Sequence, residues 1–251
     1  MRIFLLAMGL AACAQAWAQS VLFISPGKSD EVYWATAASA MQSAAHDLGM
    51  HLEVIYAERD HVRPIEIARE IAARPRRPDF VIATNDYATG PEILKILDAA
   101  GVRTFLAFST IPAGDRGVTG GPREKYKGWL GSLEPHAEDA GYLTAKALIA
   151  QARKANARAK DGKIHFIAIA GDRTTTSSVR RNEGMMRAVA EAGDAVVDQT
   201  VYADWQRDKA AEQGEWLFAR YPEARAVWAG NDLMAFGAIQ SYEIRGGVPG
   251  Q

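Results

Sequence analysis

The chain has 251 residues, a formal net charge of −1, 48% hydrophobic and 24% charged residues, which is an ordinary globular composition. No basic excess is available to follow a phosphate backbone, so nucleic acid is excluded as an expected partner. The five histidines and the single cysteine lack ligand spacing, so neither a metal site nor a cofactor is predicted.

The first residues have the pattern of an export signal. Arg2 gives a positive start, residues 3–10 form a short apolar core, and Ala16-Trp17-Ala18 offers small residues to a signal peptidase. Residues 1–18 are therefore predicted to be a signal peptide, removed after its last alanine. Leu10-Ala11-Ala12-Cys13 also matches a lipobox, so lipoprotein processing is one alternative, and a buried first strand or helix is another.

The end of the first apolar run suggests two different kinds of site. Residues 21–25, VLFIS, lead into Gly27-Lys28-Ser29, which resembles the end of a phosphate-binding loop. That motif needs another glycine five residues before Gly27, where the backbone curls to face the phosphates, and Leu22 stands there. An NTPase is therefore not predicted, and the segment is interpreted as the lip of a ligand pocket.

From this run onward, apolar strand patterns alternate with amphipathic helix patterns, which indicates a parallel α/β fold. The first series has the strand runs VLFIS, HLEVIYAE, DFVIATN, RTFLAFS and WLGSLE. Helices are predicted between them over residues 31–48, 64–73 and 91–100. Ser29 or Asp30 is the expected N-cap of the first helix, and Gly49 is its expected stop.

A second series follows, with the strand runs KIHFIAIAG, AVVDQTVYA and AVWAG. Its helices are predicted over residues 137–157, 178–192, 207–220 and 233–245. The two series predict two doubly wound, Rossmann-like lobes, 19–133 and 134–251, with a ligand cleft between them. In open α/β sheets the ligand lies beyond the carboxyl ends of the strands, so residues that follow the strands are the candidates.

The candidate ligand-binding residues follow strand ends in both series. They are Tyr33, Trp34, Asp86, Ser109, Arg181, Trp205, Asn231 and Asp232. Indole rings stack on the apolar face of a sugar, while Asn, Asp and Arg hold its hydroxyls. Structural alternatives exist: Trp34 in the core, Trp205 at a helix start, and Asn231 as an N-cap. The convergence of all these residues on strand ends favours a sugar site.

Three long stretches carry a family resemblance, namely DEVYWATAASAMQSAAHDLG, GDRTTTSSVRRNEGMMRAVAEAG and YADWQRDKAAEQGEWLFARYPEARAVWAGNDLMAFGAIQSYEIRGG. Over residues 21–250, more loosely in the first lobe, the chain resembles the ribose-type (type I) family of periplasmic sugar-binding proteins of ABC importers. The resemblance implies that the ligand contacts are Tyr33-Trp34, Arg181, Trp205 and Asn231. It also implies that Asp232 caps the helix that follows and, in some members of the family, reaches the ligand.

The chain departs from ribose binders in its first lobe. The Asp-Arg pair that the family places after the fourth strand is replaced by Phe108-Ser109-Thr110. The Asn-Pro that precedes the aromatic pair is replaced by Glu31-Val32. The resemblance therefore leaves open other polyols, or furanosyl signalling molecules such as autoinducer-2, in place of ribose.

The function implied by the resemblance is a periplasmic monomer that closes over a sugar-like ligand and delivers it to the membrane permease of an ABC importer. The alternative is a sensory module of the same fold that signals to a membrane receptor kinase. An enzyme is not predicted, because G-x-S-x-G, G-x-G-x-x-G and a convincing acid/base pair are all missing from the sequence. A transcription repressor would need a DNA-binding helix-turn-helix where the export signal stands.

The second series has three strand–helix units before residues 246–251. In the family further units follow and cross back to the first lobe, so a C-terminally truncated chain is expected. Its second lobe should then expose an unpaired strand edge and the apolar face of residues 233–244. Sugar binding by this chain is expected to be weak or absent, because part of the pocket floor is missing.

Overall fold

Two sets of parallel strands define the computed structural model, which describes residues 18–250. The strands are β1 (Ser20–Ser25), β2 (His51–Tyr56), β3 (Phe80–Ala83), β4 (Arg103–Ala107), β5 (Trp129–Leu133), β6 (Ile164–Ala170), β7 (Ala195–Tyr202) and β8 (Ala226–Ala229). One sheet has the order β2-β1-β3-β4-β5 and the other the order β7-β6-β8. Within each sheet, every described pair of neighbouring strands is parallel, which confirms the predicted two-lobed α/β fold.

Helices connect the strands, as parallel pairing requires. They are α1 (Val32–Asp47), α2 (Arg63–Ala73), α3 (Gly90–Ala99), α4 (Arg116–Thr119), α5 (Ala137–Lys154), α6 (Thr176–Ala192), α7 (Arg207–Arg220) and α8 (Asp232–Ile244). Two 3₁₀ turns, Asp86–Ala88 and Ala113–Asp115, follow β3 and β4. The long helices begin and end within three residues of the bounds that the sequence predicts.

The start of α1 differs from the expectation. Its N-cap is Glu31 rather than Ser29 or Asp30, and its side chain makes no capping hydrogen bond. The carboxylate of Glu31 accepts a hydrogen bond from Arg59 instead. Gly49 follows the helix end as predicted, with a φ of +65° that favours glycine.

The core occupies both faces of each sheet, because successive side chains of a strand point to opposite faces. In β1, Leu22 and Ile24 pack with α2 and α3, while Phe23 packs on the other face with α1. In β6, Phe166 packs with α5 and α6, while Ile167 packs with α7 and α8. Helices therefore cover both faces, as is typical of parallel sheets.

The second sheet has an open edge at β8. Within residues 18–250 this strand pairs with β6 on one side only. The neighbouring helix α8 leaves three large apolar side chains exposed: Phe236 is 54% exposed, Ile239 39% and Ile244 69%. The predictions of an unpaired edge and of an uncovered apolar face on this helix are therefore confirmed.

The ends of the chain lie outside this description. Residues 1–17 and Gln251 are not among the described residues. The lipobox at Cys13 and all of the predicted signal peptide except Ala18 therefore lie outside the described part of the chain. Between residues 18 and 250, no helix combines the length and apolarity that a membrane-spanning helix needs.

Candidate functional site

Most of the predicted site residues line one large cavity. It is lined by seven of the eight: Tyr33, Trp34, Asp86, Arg181, Trp205, Asn231 and Asp232. These residues follow strands of both lobes, as the strand-end rule requires. The cavity volume is about 2020 Å³, well above the roughly 300–1,000 Å³ of common small-molecule pockets. Its extra volume runs along the open edge of β8, past Trp228 to Gly247.

Ser109 is the predicted residue that the structure does not bring to the cavity. Its side chain is buried, and its backbone carbonyl accepts a hydrogen bond from Asn85 N at 3.0 Å. Phe108 lines the cavity instead. Phe108 has a φ of +65°, which is rare for a bulky residue. Ser109 is therefore corrected to Phe108 at this position.

Aromatic rings form one part of the first-lobe wall. The ring of Phe108 meets Trp34 edge-on, with centroids 5.1 Å apart, and Tyr33 with centroids 6.0 Å apart. Trp34 is only 5% exposed and also packs in the core with Phe23, so the core alternative for it is partly right. Its indole lies on Gly27, where a Cβ atom would come within 1.8 Å of the ring. Gly27, the first residue of the Gly27-Lys28-Ser29 segment, therefore leaves space for the indole of Trp34.

The second lobe repeats the arrangement of an indole on a glycine. A Cβ atom on Gly171 would come within 2.3 Å of the ring of Trp205. Trp205 Nε1 donates a 2.8 Å hydrogen bond to Asp172, whose other carboxylate oxygen accepts from the backbone N–H groups of Thr174 and Thr175. Burial favours a raised pKa for Asp172, but these hydrogen bonds outweigh it and hold the pKa below its usual range. The carboxylate therefore stays charged and fixes the indole.

Arg181 supplies hydrogen-bond donors from the second lobe. Its Nη1 donates to Gly230 O at 2.7 Å, and its guanidinium lies 5.6 Å from the centre of the Trp205 ring. Among residues 18–250 no carboxylate forms an ion pair with it. Burial lowers the pKa of Arg181, while the nearby Tyr33 and Asp232 oppose that change. Guanidinium N–H groups therefore remain available for a ligand.

The start of α8 differs in its cap from what the resemblance implies. Asn231, not Asp232, is the N-cap, because its Oδ1 accepts a 2.9 Å hydrogen bond from Met234 N. Asp232 is the first residue of the helix. Both line the cavity, and the Nδ2 group of Asn231, which lies 3.5 Å from Trp205 O, is the part of its amide left for a ligand.

A buried charge cluster, Glu31, Arg59 and Asp86, forms the other part of the first-lobe wall. Arg59 donates to both carboxylate oxygens of Glu31, and its Nη1 lies 4.0 Å from Asp86 Oδ2. All three side chains are 6–7% exposed and line the cavity. Arg59 follows β2, so the strand-end rule could have identified it, but only Asp86 was predicted.

The pKa values of Asp86 and Arg59 are shifted by burial and by neighbouring charges. Burial raises the pKa of Asp86 to about 7, although the positive charge of Arg59 opposes the rise. Burial also disfavours the charge of Arg59, but the hydrogen bonds and charge of Glu31 outweigh it and raise the pKa of this guanidinium. Arg59 therefore keeps its positive charge, and Asp86 is the wall residue whose pKa lies near neutral pH.

The two lobes also contact each other directly beside the cavity. Tyr87 N donates to Thr175 Oγ1 at 3.3 Å, and Thr176 Oγ1 donates to Thr110 O at 2.8 Å. Within residues 18–250 no group of His, Cys, Asp and Glu side chains is arranged to hold a metal ion. The site is therefore a two-lobed cavity of aromatic rings, hydroxyls, amides and charged groups.

Comparison with known proteins assigns the family. The chain belongs to the family described as periplasmic binding protein domain, which matches residues 21–250. Membership makes it a binding protein rather than an enzyme, as the sequence predicts. The family is also one of periplasmic proteins, in agreement with the export signal that the sequence suggests.

Individual relatives agree with this assignment. The chain is 26% identical over 237 residues to the ribose import binding protein RbsB of Haemophilus influenzae, covering 94% of this chain and 73% of that protein. It is 32% identical to a periplasmic sugar-binding protein from Pseudomonas fluorescens of known structure, with a TM-score of 0.80. That alignment covers 92% of this chain and 66% of the Pseudomonas chain, so this chain spans just under two thirds of its length.

A more distant structure shares the fold. It is the periplasmic binding protein component of the arabinose ABC transporter from Shewanella sp. ANA-3, bound to α- and β-L-arabinofuranose. The identity is 20% and the TM-score 0.72, with 93% of this chain and 71% of that chain covered. At this identity the similarity supports the two-lobed fold and no finer statement.

Proposed function

We propose that the protein captures a sugar in the cavity between its lobes and delivers it to the permease of an ABC importer. The observation that carries this proposal is that one cavity holds an indole from each lobe, Trp34 and Trp205, together with Arg181 and Asp86. Indole faces suit the C–H face of a sugar ring, and charged planar groups suit its hydroxyls. Membership of the periplasmic binding protein family supports the same conclusion.

The proposed mechanism is hinge closure. Each lobe contributes part of the wall, so a sugar makes its full set of contacts only when the lobes are together, and its binding favours that state. The proposed lobe boundary lies between β5, which ends at Leu133, and α5, which begins at Ala137. Closed lobes would then present one joint outer surface to the permease.

The proposed location is the periplasm, reached after removal of residues 1–18. Intact-mass measurement of the protein from a periplasmic fraction tests this proposal. A mass that begins at Gln19 is expected, whereas a lipid-modified Cys13 would show that lipoprotein processing occurs instead.

A thermal-shift screen tests the proposed function. We define the sugar panel as D-ribose, L-arabinose, D-allose and D-galactose, each tested at millimolar concentration with ligand-observed NMR in parallel. A sugar that binds the native state raises the melting temperature. Of the two expectations, weak binding or none, we propose weak binding of at least one sugar, because seven of the eight predicted residues line the cavity although it is open along β8. No shift and no NMR signal for any sugar, with the chain folded, would contradict the proposal.

A further inference from the structure

We propose that Arg59 and Asp86 together form a hydroxyl-recognition subsite, which takes two adjacent hydroxyls of a neutral sugar on the first-lobe wall. This assignment rests on the proposed function and specifies the ligand that the cavity selects. Both residues line the cavity, yet they come from different connections, since Arg59 follows β2 and Asp86 follows β3.

The position of Arg59 is fixed before a ligand arrives. Glu31 accepts hydrogen bonds from its Nε, at 3.0 Å, and from its Nη2, which holds the guanidinium plane by two bonds. Both side chains are 6% exposed. Such a bidentate pair orients the guanidinium strongly and leaves Nη1 as the group directed away from Glu31. That nitrogen is the one that lies nearest to Asp86.

The gap between Arg59 and Asp86 is suited to a ligand oxygen. Arg59 Nη1 and Asp86 Oδ2 are 4.0 Å apart, beyond the distance of a direct hydrogen bond. Burial raises the pKa of Asp86 to about 7, so Arg59 and Thr84 replace only part of the hydration that its carboxylate loses. A donor from a ligand would complete the coordination of this carboxylate.

Sugar hydroxyls fit this pair better than an acidic group does. A hydroxyl both donates and accepts, so it can accept from Arg59 Nη1 and donate to Asp86, and a neighbouring hydroxyl can complete the pair. Above pH 7, where Asp86 is charged, a ligand carboxylate can only accept, and it would meet the buried carboxylates of Asp86 and Glu31. The charge of Arg59 is already balanced by Glu31. The subsite therefore selects neutral sugars with adjacent hydroxyls over acidic sugars.

The test compares variants with matched sugars. Asp86→Asn and Arg59→Lys each change one partner with little change of volume, and Arg74→Lys is the control. Arg74 forms a bidentate pair with Glu53 in the same lobe, at 2.6 and 2.8 Å, but outside the cavity. Dissociation constants are measured by calorimetry or NMR for the best binder of the sugar panel, its deoxy derivatives and the corresponding uronic acid. Melting temperatures establish that each variant is folded.

The expected result is that Asp86→Asn and Arg59→Lys weaken binding of the parent sugar by about tenfold or more, in the range of a lost charged hydrogen bond. Arg74→Lys should bind as the unsubstituted chain does. The deoxy derivative that lacks a hydroxyl bound by Arg59 and Asp86 should bind weakly to the unsubstituted chain. It should bind Asp86→Asn and Arg59→Lys with the same weak affinity, because the contact is already absent. The test still decides if one variant fails to fold. In that case the affinities of the unsubstituted chain are compared, and it must bind the parent sugar more tightly than a deoxy derivative and more tightly than the uronic acid.

Three outcomes overturn the assignment, and they distinguish failure of the subsite from failure of the proposed function. If a neutral sugar binds but the folded subsite variants bind it as tightly as the control does, the subsite is wrong and the proposed function stands. The same conclusion follows if the uronic acid binds more tightly than the neutral sugar. If no sugar of the panel binds the unsubstituted chain, the proposed function fails and the subsite fails with it.

Discussion

The first lobe holds its cavity wall with a buried ion pair between distant residues, whereas the second lobe combines turn and cap hydrogen bonds with the long-range hydrogen bonds of Trp205 and Arg181. Glu31 and Arg59 are 28 residues apart. In the second lobe, Asp172 bonds to backbone N–H groups two and three residues away, and Asn231 to one three residues away. Turn and cap motifs can be recognised in the sequence, while the long-range contacts of both lobes, Glu31–Arg59 in the first and Trp205–Asp172 in the second, depend on the assembled fold.

The largest effect is expected from breaking the buried charge pair of the first lobe. Arg59→Met leaves Glu31 charged and buried without its partner, which costs about 3–5 kcal/mol of unfolding free energy. Arg74→Met breaks the more exposed pair with Glu53 and should cost at most about 1 kcal/mol. Urea denaturation measures both. Equal losses for the two variants would show that burial does not distinguish these pairs.

The next effect concerns pH. The pKa of folded Asp86 is about 7, above the value of about 3.9 for an unfolded chain. The folded state therefore holds this proton longer, and the unfolding free energy falls as pH rises from about 4 through 7. Asp86→Asn removes this fall in the unfolding free energy. Near pH 4 the unfolding free energies of the variant and of the unsubstituted chain should therefore be equal. The variant should be more stable above pH 7, by at most roughly 4 kcal/mol.

Denaturant midpoints from pH 4 to pH 8 check this dependence. A stability difference that stays constant over the range would show that Asp86 keeps an ordinary pKa. Asp79→Asn serves as the matched control, since the pKa of that exposed carboxyl is lowered, mainly by hydrogen bonds from the backbone and side chain of Ser20. Asp79 with its lowered pKa stabilises the folded state at higher pH, and this contribution is lost as pH falls. Asp79→Asn should therefore be less stable than the unsubstituted chain above pH 4, whereas Asp86→Asn should be more stable.

In the second lobe, the largest effect is expected on ligand binding. Arg181 has no ion-pair partner among residues 18–250, so Arg181→Met removes a buried cation and its ligand contacts while leaving no carboxylate unpaired. We expect sugar affinity to fall by about a hundredfold, or roughly 3 kcal/mol, with the fold intact. Calorimetric titration with the best binder of the sugar panel measures the loss. An unchanged affinity would place the ligand away from the second lobe.

The two tryptophans give the smallest and most closely matched comparison. Trp205 Nε1 donates to Asp172, so Trp205→Phe leaves this buried carboxylate short of one donor and should cost about 1–3 kcal/mol of stability. Trp34 Nε1 is buried without a hydrogen-bond partner among the described residues, so Trp34→Phe should cost less than Trp205→Phe. Thermal unfolding of the two variants side by side measures the difference. The reverse order would contradict the assigned hydrogen bonds.

The sequence predicts most of the fold and most of the cavity residues, because both follow local rules. Period-two and helical patterns locate the strands and helices, and residues after strand ends include Trp34, Arg181 and Trp205. Ser109 also follows a strand end but lies buried outside the cavity, whereas its neighbour Phe108, with a φ of +65°, lines it. Arg59 follows β2, so the rule could have identified its position, but its pairing with Glu31, 28 residues away, depends on the assembled fold.

The central claim is that one sugar binds between the two lobes, and calorimetric titration of the folded chain with the sugar panel tests it most directly. The account predicts one bound sugar per chain, with an affinity that falls both with Asp86→Asn in the first lobe and with Arg181→Met in the second. Binding that neither substitution weakens, or no binding of any sugar of the panel, would contradict it.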